Sequence, residues 1–312
     1  MKLIKVISFL IVLIVSYPVD ANNLSNLENH YLSLVKKCCS GSIYFDNTTS
    51  PTNSLIINQS CPKNLFDINH ESLRDETIDS LRESYLNLVI KCINGSVYLD
   101  NQIDPETRKI ILENCRYTLL SLEPLNTLKM CMEAVERENI LGDFIEAGIW
   151  KGGAVILMRA FLNAYQNSTR LVWGADSFEG FPDSKHSDSN ILNNHIYPWV
   201  VVGQNQVEKN ISRFELLDKQ VCLVKGFFKD SLPTIPIKEI AVLRVDGDMY
   251  DSTLDILENL YPKVSIGGYV IIDDFGAFHG CDEAVIEYRK KHNIDEPFYK
   301  QGFYGIYWKK TK

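Results

Sequence analysis

From Asp143 to the C-terminus, short apolar runs alternate with segments of helical spacing. Asp143 to Gly148, Leu171 to Ala175, Val221 to Val224, Ile240 to Val245 and Tyr269 to Ile272 read as strands. Between and after them, Ala154 to Tyr165, Gln206 to Leu217, Ser252 to Tyr261 and Asp282 to Lys291 read as helices. Such alternation builds parallel βαβ units, because each crossover must carry a helix back across the sheet. The expected fold class is therefore α/β, a doubly wound Rossmann-like sheet. Gly305-Ile306-Tyr307-Trp308 is expected to close it as an antiparallel C-terminal strand. A helix is also expected over Thr127 to Asn139, whose apolar positions Leu128, Cys131, Met132 and Val135 fall on one face.

Composition narrows the function. Lys and Arg total 32 against 40 Asp and Glu, a net charge of −8, and no basic run is present. A nucleic-acid phosphate footprint is thereby excluded as an expectation. The hydrophobic fraction of 45% supports a substantial core.

Ahead of the α/β region the chain repeats itself. Tyr31-Leu32-Ser33-Leu34-Val35 returns as Tyr85-Leu86-Asn87-Leu88-Val89, and Gly41 to Asn47 returns as Gly95 to Asn101. Cys38 and Cys61 answer Cys92 and Cys115 at the same offset. Each copy reads as a short amphipathic helix, a Gly turn and an extended Tyr-containing piece. The expected organisation is a leader over 1–21, an extra repeat copy over 22–78, a second copy over 79–119 that leads into the main domain, and that domain over 120–312. The leader has Lys2 and Lys5, an apolar stretch from Val6 to Val15 and small residues near Ala21, the pattern of a secretory signal peptide. A signal anchor is the alternative; a stable membrane span is not expected. Six Asn-x-Ser/Thr triplets, at Asn23, Asn47, Asn58, Asn94, Asn167 and Asn210, and an even eight cysteines fit that route. Bridges Cys38–Cys61 and Cys92–Cys115 are one connectivity among several, with Cys39 spare and Cys131, Cys222 and Cys281 as buried thiols.

In doubly wound sheets ligands bind beyond the carboxyl ends of the strands. The turn Glu146-Ala147-Gly148-Ile149-Trp150-Lys151-Gly152-Gly153 is in that position, and it lacks the GxGxxG spacing of a dinucleotide site. Asp176 follows the second strand, where an acid accepts hydrogen bonds from ribose hydroxyls. Val245-Asp246-Gly247-Asp248 and Ile271-Ile272-Asp273-Asp274 each end an apolar strand in paired acids. If those strands are neighbours, four carboxylates meet at one rim and either raise one another's pKa or require a cation, which with oxygen ligands is a hard one, magnesium or calcium. Capping of the following helices is the plainer reading of the same acids.

Six stretches, taken in order, resemble the macrocin O-methyltransferase family: Phe144–Ala154, Ala175–Pro182, Lys225–Pro233, Leu243–Thr253, Gly267–Gly276 and Gly305–Trp308. The likeness covers about residues 80–310. It implies an O-methyltransferase that uses S-adenosylmethionine and Mg2+ to methylate a hydroxyl of a sugar, glycoside or phenolic small molecule. Glu146, Gly148, Gly152 and Gly153 then match the first cofactor loop, Asp176 and Ser177 the ribose site, and Gly226 with Phe227 the adenine side. Asp246, Asp273 and Asp274 match the metal ligands, and Asp248 the general base. The polar stretch from Asp183 to Trp199 is shorter than the relatives' substrate lid, which leaves the acceptor open; His186 and His195 lie within it. A second reading keeps the fold as a secreted non-catalytic binding protein. A homo-oligomer is compatible with either.

Overall fold

The computed structural model describes residues 21–40, 77–98, 104–106, 109, 111 and 115–312. The signal-peptide stretch 1–20, Cys61, and the sequons Asn47 and Asn58 lie outside the described residues.

Seven strands form one sheet in the order β3-β2-β1-β4-β5-β7-β6. They are β1 (Asp143–Ala147), β2 (Val172–Asp176), β3 (Val221–Lys225), β4 (Ile240–Val245), β5 (Val264–Ile272), β6 (Tyr299–Lys300) and β7 (Ile306–Lys309). The first five are parallel, and β7 runs antiparallel to β5. Every residue of β4 is buried, which explains why its run is apolar but for one residue: a parallel strand covered on both faces has no solvent side to alternate with. The one charge inside it, Arg244, stands beside Glu146 of β1 in register. Between β1 and β4 the strand order reverses, and that switch point opens a crevice at the carboxyl ends.

Seven helices of more than one turn are described. They are α1 (Ala21–Ser40), α2 (Ile78–Ile93), α3 (Leu122–Arg137), α4 (Gly153–Ala164), α5 (Gln204–Arg213), α6 (Tyr250–Leu260) and α7 (His279–Lys291). α4 is apolar nearly all round because it lies between the sheet and α2, and 11 of its residues are buried. Phe144 and Ile145 alternate along β1, and their side chains enter separate cores on the two faces of the sheet. α1 and α2 bury Leu27, Val35, Leu81 and Val89 in the core that holds α4, so the matched N-terminal helices pack as part of the same body.

Several boundaries differ from the expected ones, α5 running over Gln204–Arg213 where Gln206–Leu217 was expected, and three of the differences have a clear physical reason. α3 begins at Leu122, ahead of the expected Thr127, because Pro124 falls in the first turn, where its missing N–H is no loss. β5 begins at Val264 instead of Tyr269. Gly267 sits at φ +87° within it, where a side chain would strike Ile140, and the register with β4 shifts there. The Tyr-containing piece of the second repeat copy is not extended. Gly95, at φ +77°, turns the chain into a single 3-10 turn over Ser96–Tyr98.

The cysteines also differ from expectation. Cys115 is a buried free thiol, so no Cys92–Cys115 bridge is present. Cys38 instead meets Cys92, Sγ to Sγ at 3.0 Å. Cys131 and Cys281 are buried free thiols as anticipated, while Cys222 is half-buried.

Candidate active site

The loops that leave β1, β2, β4 and β5 converge on a cavity of about 670 Å3 at the switch point. This volume lies within the range of small-molecule sites. Glu146, Gly148, Asp176, Ser177, Phe227, Asp246, Asp248, Asp273 and Asp274 line it. Gly152, Gly153 and Gly226, also marked out by the sequence, shape turns behind the wall. Gly153 is required by packing: a Cβ there would lie 2.7 Å from the Tyr117 carbonyl oxygen, which accepts the Gly153 N–H.

On the β1–β2 side the wall is backbone and carboxylate. Gly148 stands at φ +91°, and an added Cβ would lie 1.8 Å from the Asp246 carbonyl oxygen, so only glycine allows β1 and β4 to deliver their loops this closely. Asp176 accepts N–H bonds from Ile149 (2.9 Å), Trp150 (3.2 Å) and Phe178 (2.8 Å). It thus fixes the glycine loop to the end of β2, and burial raises its carboxyl above the ordinary range despite those bonds. The Ser177 hydroxyl donates to the Gly180 carbonyl at 2.7 Å, holding the next turn. Glu146 is 3% exposed, and its Oε2 has no hydrogen-bond partner among the described residues. A buried acceptor oxygen on the cavity wall is suited to a donor carried by a ligand.

On the β4–β5 side the acids gather around Arg244. Its guanidinium is 2.7 Å from Asp246 Oδ2 and 2.7 Å from Asp273 Oδ1, and it also reaches Glu146. Burial alone would lower the Arg244 pKa, but the charges of Asp273, Asp246 and Glu146 outweigh burial and keep it protonated. One guanidinium against five carboxylates leaves 1 − 5 = −4 if all are ionised. Asp246, Asp248 and Asp274 each offer an oxygen, all within 4.8 Å of one another. Asp273 stands outside this trio, on the arginine. Asp248 reaches the trio through a left-handed residue at φ +53°, not the extended continuation of β4 anticipated from the sequence, and its N–H bonds Asp274 Oδ2 at 2.8 Å. Burial, followed by mutual repulsion, drives Asp248 and Asp274 well up. Asp246 is pushed up to about 6 and Glu146 to about 8, both mainly by burial. Oxygen donors that resist ionising together are a ready site for a hard divalent cation.

Sequence comparison is decisive at this point. The sequence model described as Macrocin-O-methyltransferase (TylF) matches residues 28–310. The chain belongs to that family. It is 39% identical over 259 residues to the demethyldecarbamoylnovobiocin O-methyltransferase of Streptomyces niveus, covering 78% of this chain and 98% of that protein. It is 38% identical over 247 residues to the mycinamicin III 3''-O-methyltransferase of Micromonospora griseorubida, covering 73% and 97%. The solved structure of the O-methyltransferase NovP superposes with a TM-score of 0.67 at 39% identity, covering 74% of this chain and all of that one. The protein is an S-adenosylmethionine-dependent O-methyltransferase with the Rossmann-like fold of its family.

Several walls of this methyltransferase's cavity escaped the sequence reading. Trp150, from the glycine loop, donates its indole N–H to the Trp199 carbonyl at 3.0 Å, and the two rings meet edge to face at 6.1 Å. Phe181 and Tyr197 continue this aromatic wall, so the short stretch after Pro182 lines the cavity. The available signal was the density of aromatic residues in a segment otherwise polar. Asp183, Asp251 and Asp255 bring the acids on the wall to nine, against Lys229 as its one cation. Neither His186 nor His195 reaches the wall. His186 stacks on Tyr250 at 4.6 Å, with its ring nitrogens 3.1 Å from Asp188 and 3.3 Å from Glu283. It is part of this stretch's anchorage.

Proposed function

We propose that this methyltransferase acts on a hydroxyl of a sugar, glycoside or phenolic small molecule with a divalent cation, Mg2+, held by the acid cluster. The observation that carries the proposal is the trio Asp246, Asp248 and Asp274 on the wall of the switch-point cavity, of which Arg244 pairs with Asp246 alone. Nine wall acids attract a sulfonium and a divalent cation alike.

The cofactor supplies the methyl group, and a divalent cation would make the acceptor hydroxyl easier to deprotonate. The chain's own residues supply the remainder. Glu146 and the loop fixed by Asp176 hold the cofactor, Gly148 admits it, and Ser177 maintains the turn beside its ribose. Gly152 and Gly153 set the loop behind the wall, while Gly226 presents Phe227 to the adenine. Asp246, Asp273 and Asp274 are the proposed ligand set. Asp246 and Asp273 both pair with Arg244, so a bound cation would share these two carboxylates with the guanidinium. Asp248 would take the acceptor proton. Trp150 and Trp199 close the aromatic wall and exclude water.

The test is methyl transfer from labelled S-adenosylmethionine to pooled hydroxylated glycosides and phenols, with and without EDTA. Asp248→Asn is expected to keep cation binding and lose turnover. Loss of cation binding in that variant would make Asp248 a ligand instead of the base.

The leader and sequons support a proposed secretory location. The fold removes two of the six sequons: Asn94 and Asn210 are buried, and the Asn210 amide donates to the Lys151 carbonyl at 3.0 Å. Asn23, Asn47, Asn58 and Asn167 carry the expectation of glycans. A shift in gel mobility after endoglycosidase treatment of protein made in a eukaryotic cell tests it. No helix among the described residues is long and apolar enough to cross a membrane.

A further inference from the structure

We propose that Cys38 and Cys92 form a disulfide that fastens the extra N-terminal helix to the catalytic body. Two independent observations carry the proposal, and neither depends on methyl transfer. The first is in the sequence: Cys38 and Cys92 occupy the same position in the two matched segments, 54 residues apart. The second is in the fold: the equivalent faces of α1 and α2 pack on one another, so that each cysteine meets its own counterpart. Leu34, Val35 and Cys38 are buried in α1 as Leu88, Val89 and Cys92 are in α2. The thiols close to 3.0 Å, and both are 0% exposed.

The chemistry balances as thiol–disulfide exchange. One cysteine thiolate attacks a small disulfide oxidant such as oxidised glutathione and releases one thiol. The second cysteine then displaces the other, so two protons and two electrons leave the protein and two oxidant thiols are formed. The hydrogen bond to Cys92 and burial push the Cys38 thiol up, which disfavours its thiolate once the helices have packed. The bridge therefore forms during folding, while the pair is open, and is shielded from reductant afterwards.

The bridge would brace the cofactor loop. Lys37 of α1 donates to the Arg213 carbonyl at 2.7 Å and pairs with Glu215 at 2.8 Å, clamping the end of α5. From the same helix, Asn210 holds the Lys151 carbonyl within the glycine loop. A covalent link at Cys38 holds α1 on this chain of contacts.

The test uses the full chain carrying Cys39→Ser, refolded in a glutathione redox buffer. Free thiols are alkylated in acid denaturant, and the protein is digested with trypsin and chymotrypsin without reduction and mapped by mass spectrometry. The expected result is a linked pair of peptides containing Cys38 and Cys92. Alkylation of both, or linkage of either to Cys61 or Cys115, overturns the proposal. As a second readout, reduction is expected to lower the melting temperature by at least about 5 °C. That shift should vanish in Cys38→Ser, and an equal shift in the variant would also overturn the assignment.

Discussion

Replacing Arg244 by Met removes the buried cation on which Glu146, Asp246 and Asp273 converge while keeping most of the side-chain volume. The arginine side chain is 2% exposed and that of Glu146 4%, whereas Asp246 and Asp273 are 29% and 20% exposed on the cavity. The two aspartates are therefore partly screened, and the main loss falls on Glu146, left without a counter-charge. Breaking one side of a buried ion pair costs about 3–5 kcal/mol. For a chain of this size that corresponds to a fall of roughly 6–20 °C in melting temperature. Calorimetry in EDTA near pH 9, above the value of about 8 at which the folded protein ionises Glu146, measures it. Millimolar Mg2+ should then stabilise Arg244→Met more than the native chain, because the cation restores positive charge among the same carboxylates. A variant that melts within about 2 °C of the native protein would refute the reasoning, since Arg244 would then not be neutralising the cluster.

Three other outcomes are expected. Without divalent cations the native protein should lose stability as pH rises. Glu146 holds its proton to about 8 when folded, against 4.5 as its ordinary value, so between those values the unfolded chain has released a proton that the folded chain retains. The pH dependence of the melting temperature in EDTA, repeated with excess Mg2+, checks this; a flat metal-free profile contradicts it. Gly148→Ala should abolish cofactor binding measured by calorimetry, because its Cβ has no room beside Asp246. Gly153→Ala should cost about 1–3 kcal/mol of stability by overpacking against Tyr117 and Thr118, yet leave the KM for S-adenosylmethionine within a few-fold, since it lies off the cavity wall.

Much of this organisation was legible because strand and helix periods differ. β4 runs from Ile240 to Val245 as its apolar pattern implies, and the anticipated C-terminal strand β7 pairs antiparallel with β5, whereas the two-residue edge strand β6 outside it was not anticipated. The acids were legible as a cluster because two apolar strands each end in a pair of them. Their division was not. Arg244 reads as an isolated charge in an apolar run, and only the fold shows that it pairs with both Asp246 and Asp273 while Asp248 and Asp274 meet beyond it. Asp248 was placed correctly for the wrong reason: a left-handed backbone, not strand alternation, turns it toward Asp274. The pairing of Cys38 with Cys92 was hidden because repeat spacing favours partners within a copy, whereas packing joins equivalent positions of two copies.

The central claim is that the acid cluster on the cavity wall, with Asp246, Asp273 and Asp274 as ligands and Asp248 beside them, holds a divalent cation. Isothermal titration of Mg2+ into the S-adenosylmethionine-saturated protein tests it most directly, with Asp274→Ala alongside. One saturable site in the native chain, absent from the variant, is the predicted result. No heat from the native chain, or equal binding by both, would contradict the account.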